Sequence, residues 1–304
     1  MKLVARDLKD TVKFCLLYVC SYLLPEHRWP GLCRLLARIE LKLNAARTTD
    51  HCQVYAEALA DGRDTPAIRR IELRKACERY RDQMDFAACY RFYGWQPKLH
   101  LQGANYLDQA LAAGRGVILW ESNFIHSSLI TKMALAEHGY QVYHLSHPWH
   151  GPSGTDFGRR VINPLARRIE DRYLAERIML NQQASHQQYL QLMARLRENR
   201  IVSIRAVPRA KQMAVIPFLN GSIRLPKGPI MLSELSGAPL LLVVTIPAVD
   251  GSFETRIVAP EQAGVPDQQG GDLDVMERVA ALMEAEVRAY PHLWRDWSSF
   301  ASAP

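Results

Sequence analysis

Apolar residues recur at helical spacing over roughly the first 60 positions, with breaks at Pro25 and Pro30, so two or three helices are expected there. Asp61 to Pro66 (DGRDTP) reads as a turn in which Thr65 caps a long amphipathic helix running to about Tyr93. Beyond Gly94 and Pro97 the period alternates. A short strand (Leu99 to Gln102), a helix (Tyr106 to Ala113), an apolar strand (Val117 to Trp120), a helix (Ser127 to His138) and a strand (Gln141 to Leu145) follow in turn, the spacing of a βαβ unit. The second half predicts helices at Gly158 to Arg168, Leu174 to Ile178, His186 to Glu198, Pro229 to Ser236 and Asp272 to Ala289. Between them lie strands at Ile201 to Arg205, Ala214 to Phe218 with Gly221 to Arg224 extending that edge, Pro239 to Ile246, and an antiparallel Phe253 to Val258. The fold class is therefore α/β: a single mixed, mostly parallel sheet of six or seven strands flanked by helices and preceded by N-terminal helices. The helical segment covers residues 1–60 and the α/β domain residues 61–304.

One stretch breaks the amphipathic pattern. Phe14 to Leu24 is almost wholly apolar, yet shorter than the roughly 20 residues that span a bilayer. Lys2, Arg6, Lys9 and Lys13 precede it, which suits a helix lying in the interface of an anionic membrane as well as one packed on the main domain. Pro25, Glu26 and His27 follow it where a cleavable leader would carry small residues, so no leader is expected.

Charge changes this picture little. The 304 residues carry a formal net charge of +7, but basic clusters such as RRIELRK (Arg69 to Lys75) and RRIEDR (Arg167 to Arg172) are interleaved with acids, as on solvated helix faces. Anionic lipid and an acidic carrier protein are the partners such a surface suits; no nucleic-acid module is present. All six cysteines lie at or before Cys89 without a CxxC pair, which points to reduced, buried thiols and a cytoplasmic protein.

The candidate chemistry gathers where the apolar strand ends, in GRGVILWESNFIHSS. A buried strand holds its backbone rigidly, and the polar residues just after it, Glu121, Ser122, Asn123, His126 and Ser128, sit at the rim of the sheet where ligands bind in α/β folds. Three histidines, His144, His147 and His150, follow the next strand. Pro148 and Gly151 exclude a helical stack of imidazoles and no carboxylate or Cys completes a ligand set nearby, so a pocket wall or ordinary packing is expected and no metal. Arg159, Arg160, Arg167 and Arg168 in one region, and Arg205, Arg209 and Lys211 after a strand end, suit anionic groups or solvent. Phe124, Ile125, Trp149, Phe157 and Phe218 suit an acyl channel or the core. No Gly-rich phosphate loop occurs, since GRG precedes its strand.

Several blocks now fall into an order. They are GANYLDQALAAGRGVIL (Gly103 to Leu119), Asn163-Pro164 followed by Arg167 and Arg168, the strand block Leu196 to Ile204, the Pro217, Phe218, Gly221 turn, and GPIMLSELSGAPLL (Gly228 to Leu241). This order resembles the lysophospholipid acyltransferase superfamily, most closely its bacterial lipid A (lauroyl/myristoyl) acyltransferase branch. The resemblance covers residues 103–260, and extends weakly to the N-terminal helices and to PHLWRDW. It implies transfer of an acyl group from an acyl carrier protein or acyl-CoA thioester to a hydroxyl or amine of a glycolipid, saccharide or secondary metabolite. It implies no cofactor beyond the phosphopantetheine that the donor carries, and a site on the inner face of the cytoplasmic membrane.

The resemblance also marks a departure. Asn123 stands where the family carries its basic His and Ser128 where it carries the partnering Asp or Glu; Arg205, Ala206 and Val207 replace a usual acidic or amide pair. Asn cannot accept a proton at neutral pH. Glu121 and His126 have the separation of the family pair in reversed order, so His126 is the expected base, Glu121 its orienting partner and Asn123 an oxyanion or acceptor contact. Ser122, Ser128, His144, His147, Arg159, Arg168 and Arg205 are the expected substrate contacts, with His144 or His147 in reserve as base. The rival readings are a relative that binds acyl groups or carrier protein without catalysis, and an enzyme reusing the pocket to form an amide or ring on a carrier-bound intermediate.

Overall fold

The computed structural model describes residues 5–180, 185–205, 212–262 and 272–302; Lys2, Ala206, Val207, Arg209 and Lys211 lie outside the described residues. Helices α1 (Ala5–Leu23), α2 (Trp29–Leu43), α3 (Ala45–Leu59) and α4 (Thr65–Ala88) precede β1 (Leu99–Gln102), α5 (Ala104–Ala112), β2 (Val117–Glu121), α6 (Ser127–Glu137) and β3 (Val142–Ser146). Then come α7 (Asp156–Glu170), β4 (Glu176–Met179), α8 (Ser185–Arg197), β5 (Ile201–Arg205), β6 (Met213–Phe218) and β7 (Gly221–Pro226). The last elements are α9 (Gly228–Ser236), β8 (Leu240–Pro247), β9 (Phe253–Val258), α10 (Asp272–Ala289) and β10 (Phe300–Ser302).

Seven strands form one sheet in the order β1-β9-β8-β2-β5-β3-β4, parallel except where β8 meets β9. This is the expected mixed, mostly parallel sheet with helices on its faces and N-terminal helices before it. All five residues of β2 are buried, because helices cover both faces and the strand needs no polar side. Ile118 and Trp120 point into a core shared with α8, α9 and α10, whereas Val117 and Leu119 point into one with α5 and α6. Glu121 is next in that alternation, on the α6 side. Gly116 makes the approach to β2 possible: it has φ +69°, and a Cβ there would stand 2.7 Å from the Leu196 carbonyl oxygen.

Several local expectations are corrected. Leu174 to Ile178 is not a helix; the run supplies β4, whose backbone pairs with the free edge of β3, and an apolar run this short fits either period. Ala214 to Phe218 and Gly221 to Arg224 do not extend the main sheet, but pair with β10 in a separate three-stranded antiparallel sheet. The cap of α4 is Asp64, not Thr65: its carboxylate accepts from the Ala67 amide at 2.8 Å, and Pro66 occupies the first turn. Pro30 likewise opens α2 instead of interrupting a helix. Of the cysteines, only Cys33 and Cys89 are buried, and Cys15 is exposed.

The N-terminal helices share a core with the sheet's own helices. Leu17, Trp29 and Cys33 pack with Tyr80 and Met84 of α4 and with Leu129, Ile130 and Met133 of α6. α4 also faces the turn that follows β2, where Glu78 meets His126 at 2.9 Å. No helix among the described residues is long and apolar enough to cross a membrane.

Candidate active site

Parallel register brings the strand ends together: Glu121 of β2 lies beside Arg205 of β5 and Val243 of β8, and His144 of β3 beside Ser203 of β5. In the sheet β2 and β5 are neighbours, and the chain leaves β2 toward β3 on one side but returns from β5 to β8 on the other. Crevices in open α/β sheets form at such points.

Inside this end of the sheet is a buried ionic cluster. Arg205 donates through Nη2 to Glu121 Oε2 (3.1 Å) and through Nη1 to Ser128 Oγ (2.6 Å). Lys132, one turn beyond Ser128 and wholly buried, donates to the Ser128 carbonyl at 2.6 Å and lies 3.9 Å from Glu121 and 3.7 Å from Glu170. His150 Nε2 and Arg177 Nη2 each donate to Glu170 at 2.8 Å, and Arg177 reaches Ser146 Oγ at 2.9 Å. Burial pushes the Glu170 carboxyl up, but His150, Lys132 and Arg177 outweigh it and hold the group well below the usual carboxylate range. Burial pulls Lys132 down despite Glu121 and Glu170. His144 Nδ1 lies 2.7 Å from Ser203 Oγ; burial and the nearby Lys132, Arg205 and Arg177 keep its ring neutral. His144 is therefore an interior residue and not a pocket wall.

The structure gives the expected dyad different partners. His126 caps α6 in a left-handed conformation (φ 73°), which turns its ring away from the sheet and toward α4. There Nε2 donates to Glu78 at 2.9 Å, while Nδ1 lies 3.3 Å from Asp85 and 3.8 Å from Asp82. Burial disfavours the cation, yet the Asp85 and Glu78 carboxylates prevail and raise its pKa to about 9. His126 is thus an imidazolium at neutral pH and cannot take a proton; Glu121 is held by Arg205. The pairing read from spacing fails because α4, some 40 residues upstream, supplies the carboxylates.

Asn123 has a partner that spacing did not reveal. Its Nδ2 donates to Asp296 Oδ1 at 2.7 Å, across 173 residues of sequence. The backbone explains the meeting: the Arg295 amide donates to the Asn123 carbonyl at 3.0 Å, Phe124 and Trp294 form an antiparallel bridge, and the Ile125 amide donates to the Leu293 carbonyl at 2.8 Å. Trp294 and Trp297, both buried and edge-to-face at 4.8 Å, anchor this segment. Burial raises the Asp296 carboxyl to about 6, against the lowering pull of Asn123, Arg205, Arg295 and Lys75. Lys75, from α4, is itself brought down to about 7 by burial, with Glu72 and Asp296 opposing and Arg79 and Arg295 assisting. A carboxyl and an amine drawn toward neutrality from opposite directions share this rim with Asn123 and Arg205, an arrangement suited to proton transfer.

The other expected contacts scatter. Ser122 is buried and bonds through Oγ to the Val243 carbonyl at 2.8 Å, which fixes β2 to β8 and leaves nothing for a substrate. His147 is half-buried and accepts from the Trp149 amide at 3.3 Å. Arg159 lies over the Trp149 ring at 4.5 Å and 3.8 Å from Asp156, while Arg168 is exposed on α7, so neither converges on Arg205. Phe124, Ile125 and Phe218 are core residues, not a channel. Among the described residues no group of His, Cys, Asp and Glu is arranged to hold a metal ion.

The residues that sequence reading missed had a partial signal. Lys75, Glu78, Asp82 and Asp85 follow the i, i+3, i+7, i+10 spacing of one helix face. An ionisable stripe on the face of α4 that turns inward is unusual for solvated charge. Nothing local marked Asp296.

No protein-family model matches the chain, and no curated protein matches it.

Proposed function

We propose that this protein is an acyltransferase, moving an acyl group from an acyl carrier protein or acyl-CoA thioester to a hydroxyl or amine, with Asp296 as the base. The observation that carries the proposal is the Asn123–Asp296 hydrogen bond: a carboxyl raised to about 6 sits beside the position at which the family resembled carries its basic His. Asn123 orients that carboxylate, the part a second residue takes in a base dyad. The acceptor gives its proton to Asp296 and its heteroatom attacks the thioester carbonyl carbon. The oxyanion formed is stabilised by Lys75, the cation bordering the rim. Collapse re-forms the carbonyl, breaks the carbon–sulfur bond and expels a thiolate, which takes a proton from Lys75; the proton held by Asp296 then passes to Lys75 and restores both groups. No covalent acyl-enzyme is required.

One observation favours the non-catalytic reading: Glu121, Lys132, Glu170 and Arg205 engage one another, as in a closed scaffold. Incubation with acyl carrier protein and acyl-CoA thioesters and with hydroxyl and amine acceptors, following free thiol, separates the two. Release that is lowered by Asp296→Asn and by Asn123→Ala supports transfer. Acyl ligand bound with no thiol released under any condition supports a binding protein.

A further inference from the structure

The outer face of the N-terminal helices is built the wrong way round for a surface in water. On α1 the buried side holds Asp7 and Ser21, whereas none of its described exposed side chains is charged, and Leu8, Val12, Leu16, Val19 and Leu23 recur along that face at three- and four-residue spacing. Such a stripe is about 24 Å long at 1.5 Å per residue. It does not stop at α1. Leu8, Val12 and Leu16 form one wall of a groove of about 430 Å³ whose other walls include Leu17, Leu36 and Tyr80. Beyond Leu36, α2 exposes Leu35, Ile39 and Leu43 at every fourth position, and one residue before each stands an exposed cation: Arg34, Arg38 and Lys42. Glu40, the acid of that helix, is turned inward to Arg79 at 3.2 Å. At the far end of α1, Arg91 bonds to the Ser21 carbonyl and to Glu26, which sets Phe92 and Tyr93, 90% and 79% exposed, beside the same surface.

We infer that this face, the apolar stripe of α1 with the paired apolar and basic rows of α2, docks in the plane of an anionic lipid bilayer. Apolar area bordered by a row of cations is what an interfacial helix requires, with the apolar side among acyl chains and the cations at the headgroups. Exposed aromatics at one end match the preference of Tyr and Phe for that boundary. A second copy of the chain fits less well, since an isologous contact over the patch crowds two rows of Arg34, Arg38 and Lys42 with no exposed acids on α2 to receive them. The inference is independent of the acyl-transfer reading.

Flotation of the full chain with phosphatidylcholine vesicles, with and without phosphatidylglycerol, tests it. The protein is expected to float with anionic vesicles and much less with neutral ones, and to release as salt rises. Reversing the basic row (Arg34→Glu, Arg38→Glu, Lys42→Glu) is expected to weaken anionic binding by roughly a hundredfold or more, at the contribution of a basic residue near such a surface. Val12→Glu with Leu16→Glu, a second variant away from the basic row, is expected to abolish it, and circular dichroism melting checks that both stay folded. Failure of the wild type to bind either vesicle overturns the inference. So does undiminished binding by a folded charge-reversed variant, or sedimentation showing a dimer that the same substitutions dissociate. Thiol release from soluble thioesters stays unchanged in these variants, so a failure here leaves the acyl-transfer reading standing.

Discussion

Two polar regions lie a few residues apart at the end of β2, and they are built on opposite principles. Around Glu170 the carboxylate is enclosed and answered: His150, Arg177 and Lys132 surround it, and Arg205 ties Glu121 to Ser128, while Glu121 Oε1 and Arg205 Nε find no hydrogen-bond partner. Around Asp296, burial is not fully answered, so a carboxyl rises to about 6 and an amine falls to about 7. A cluster centred on a carboxylate so well answered serves as a frame, even where burial draws its Lys132 amine down. An unsaturated one has groups whose protonation changes near neutral pH, and those are the groups that chemistry can use.

The sharpest way to break the comparison is Asp296→Asn. It is expected to lower turnover by about 10² to 10⁴-fold and to remove a rising limb near pH 6 from the profile of kcat/KM, with little loss of stability. Lys132→Met should do the reverse in kind. Leaving Glu121 and Glu170 short of a cation in the interior is expected to cost about 3–5 kcal/mol in urea unfolding. The His126 site carries a pH signature between these. Its folded pKa, about 9, lies above the unfolded value of about 6.5, so its contribution is complete below pH 6.5 and is lost as pH rises through 9. Stability is expected to fall by about 3 kcal/mol over that window, and His126→Gln to flatten the slope. The smallest effect belongs to Arg168→Ala: within about 0.5 kcal/mol in stability and no change in KM for a thioester donor, as befits a solvated side chain. A clear KM effect there would restore the arginines of α7 to the site.

The sheet was legible in the sequence because β2 and β8 are nearly continuous apolar runs, bounded by Gly or Pro, as strands covered on both faces are. β4 was not, since LAERIM has too few residues to reveal a period, and its strand form depends on the open edge of β3. The location of the site was legible for the same reason as the sheet: GVILWESN announces a strand end. Its chemistry was not. His126 and Glu121 look like a pair when counted along the chain, but a left-handed φ at His126 sends its ring to α4. The carboxylate that does meet Asn123 is Asp296, and the amine that acts on it is Lys75, on segments that spacing cannot bring together. Distance in sequence hides such a site, whereas burial and register reveal it.

The antiparallel bridge between Phe124 and Trp294 has a consequence for how the protein is made. A chain emerging from the ribosome completes β2 and its loop long before residue 296 exists, and the parallel sheet can begin to assemble around β2 without it. Through that interval Asn123 has no carboxylate beside it. The rim gains that carboxylate only when the segment from Leu293 to Trp297 leaves the exit tunnel and pairs with residues 123–125, so an incompletely synthesised chain carries the frame of this candidate site without Asp296.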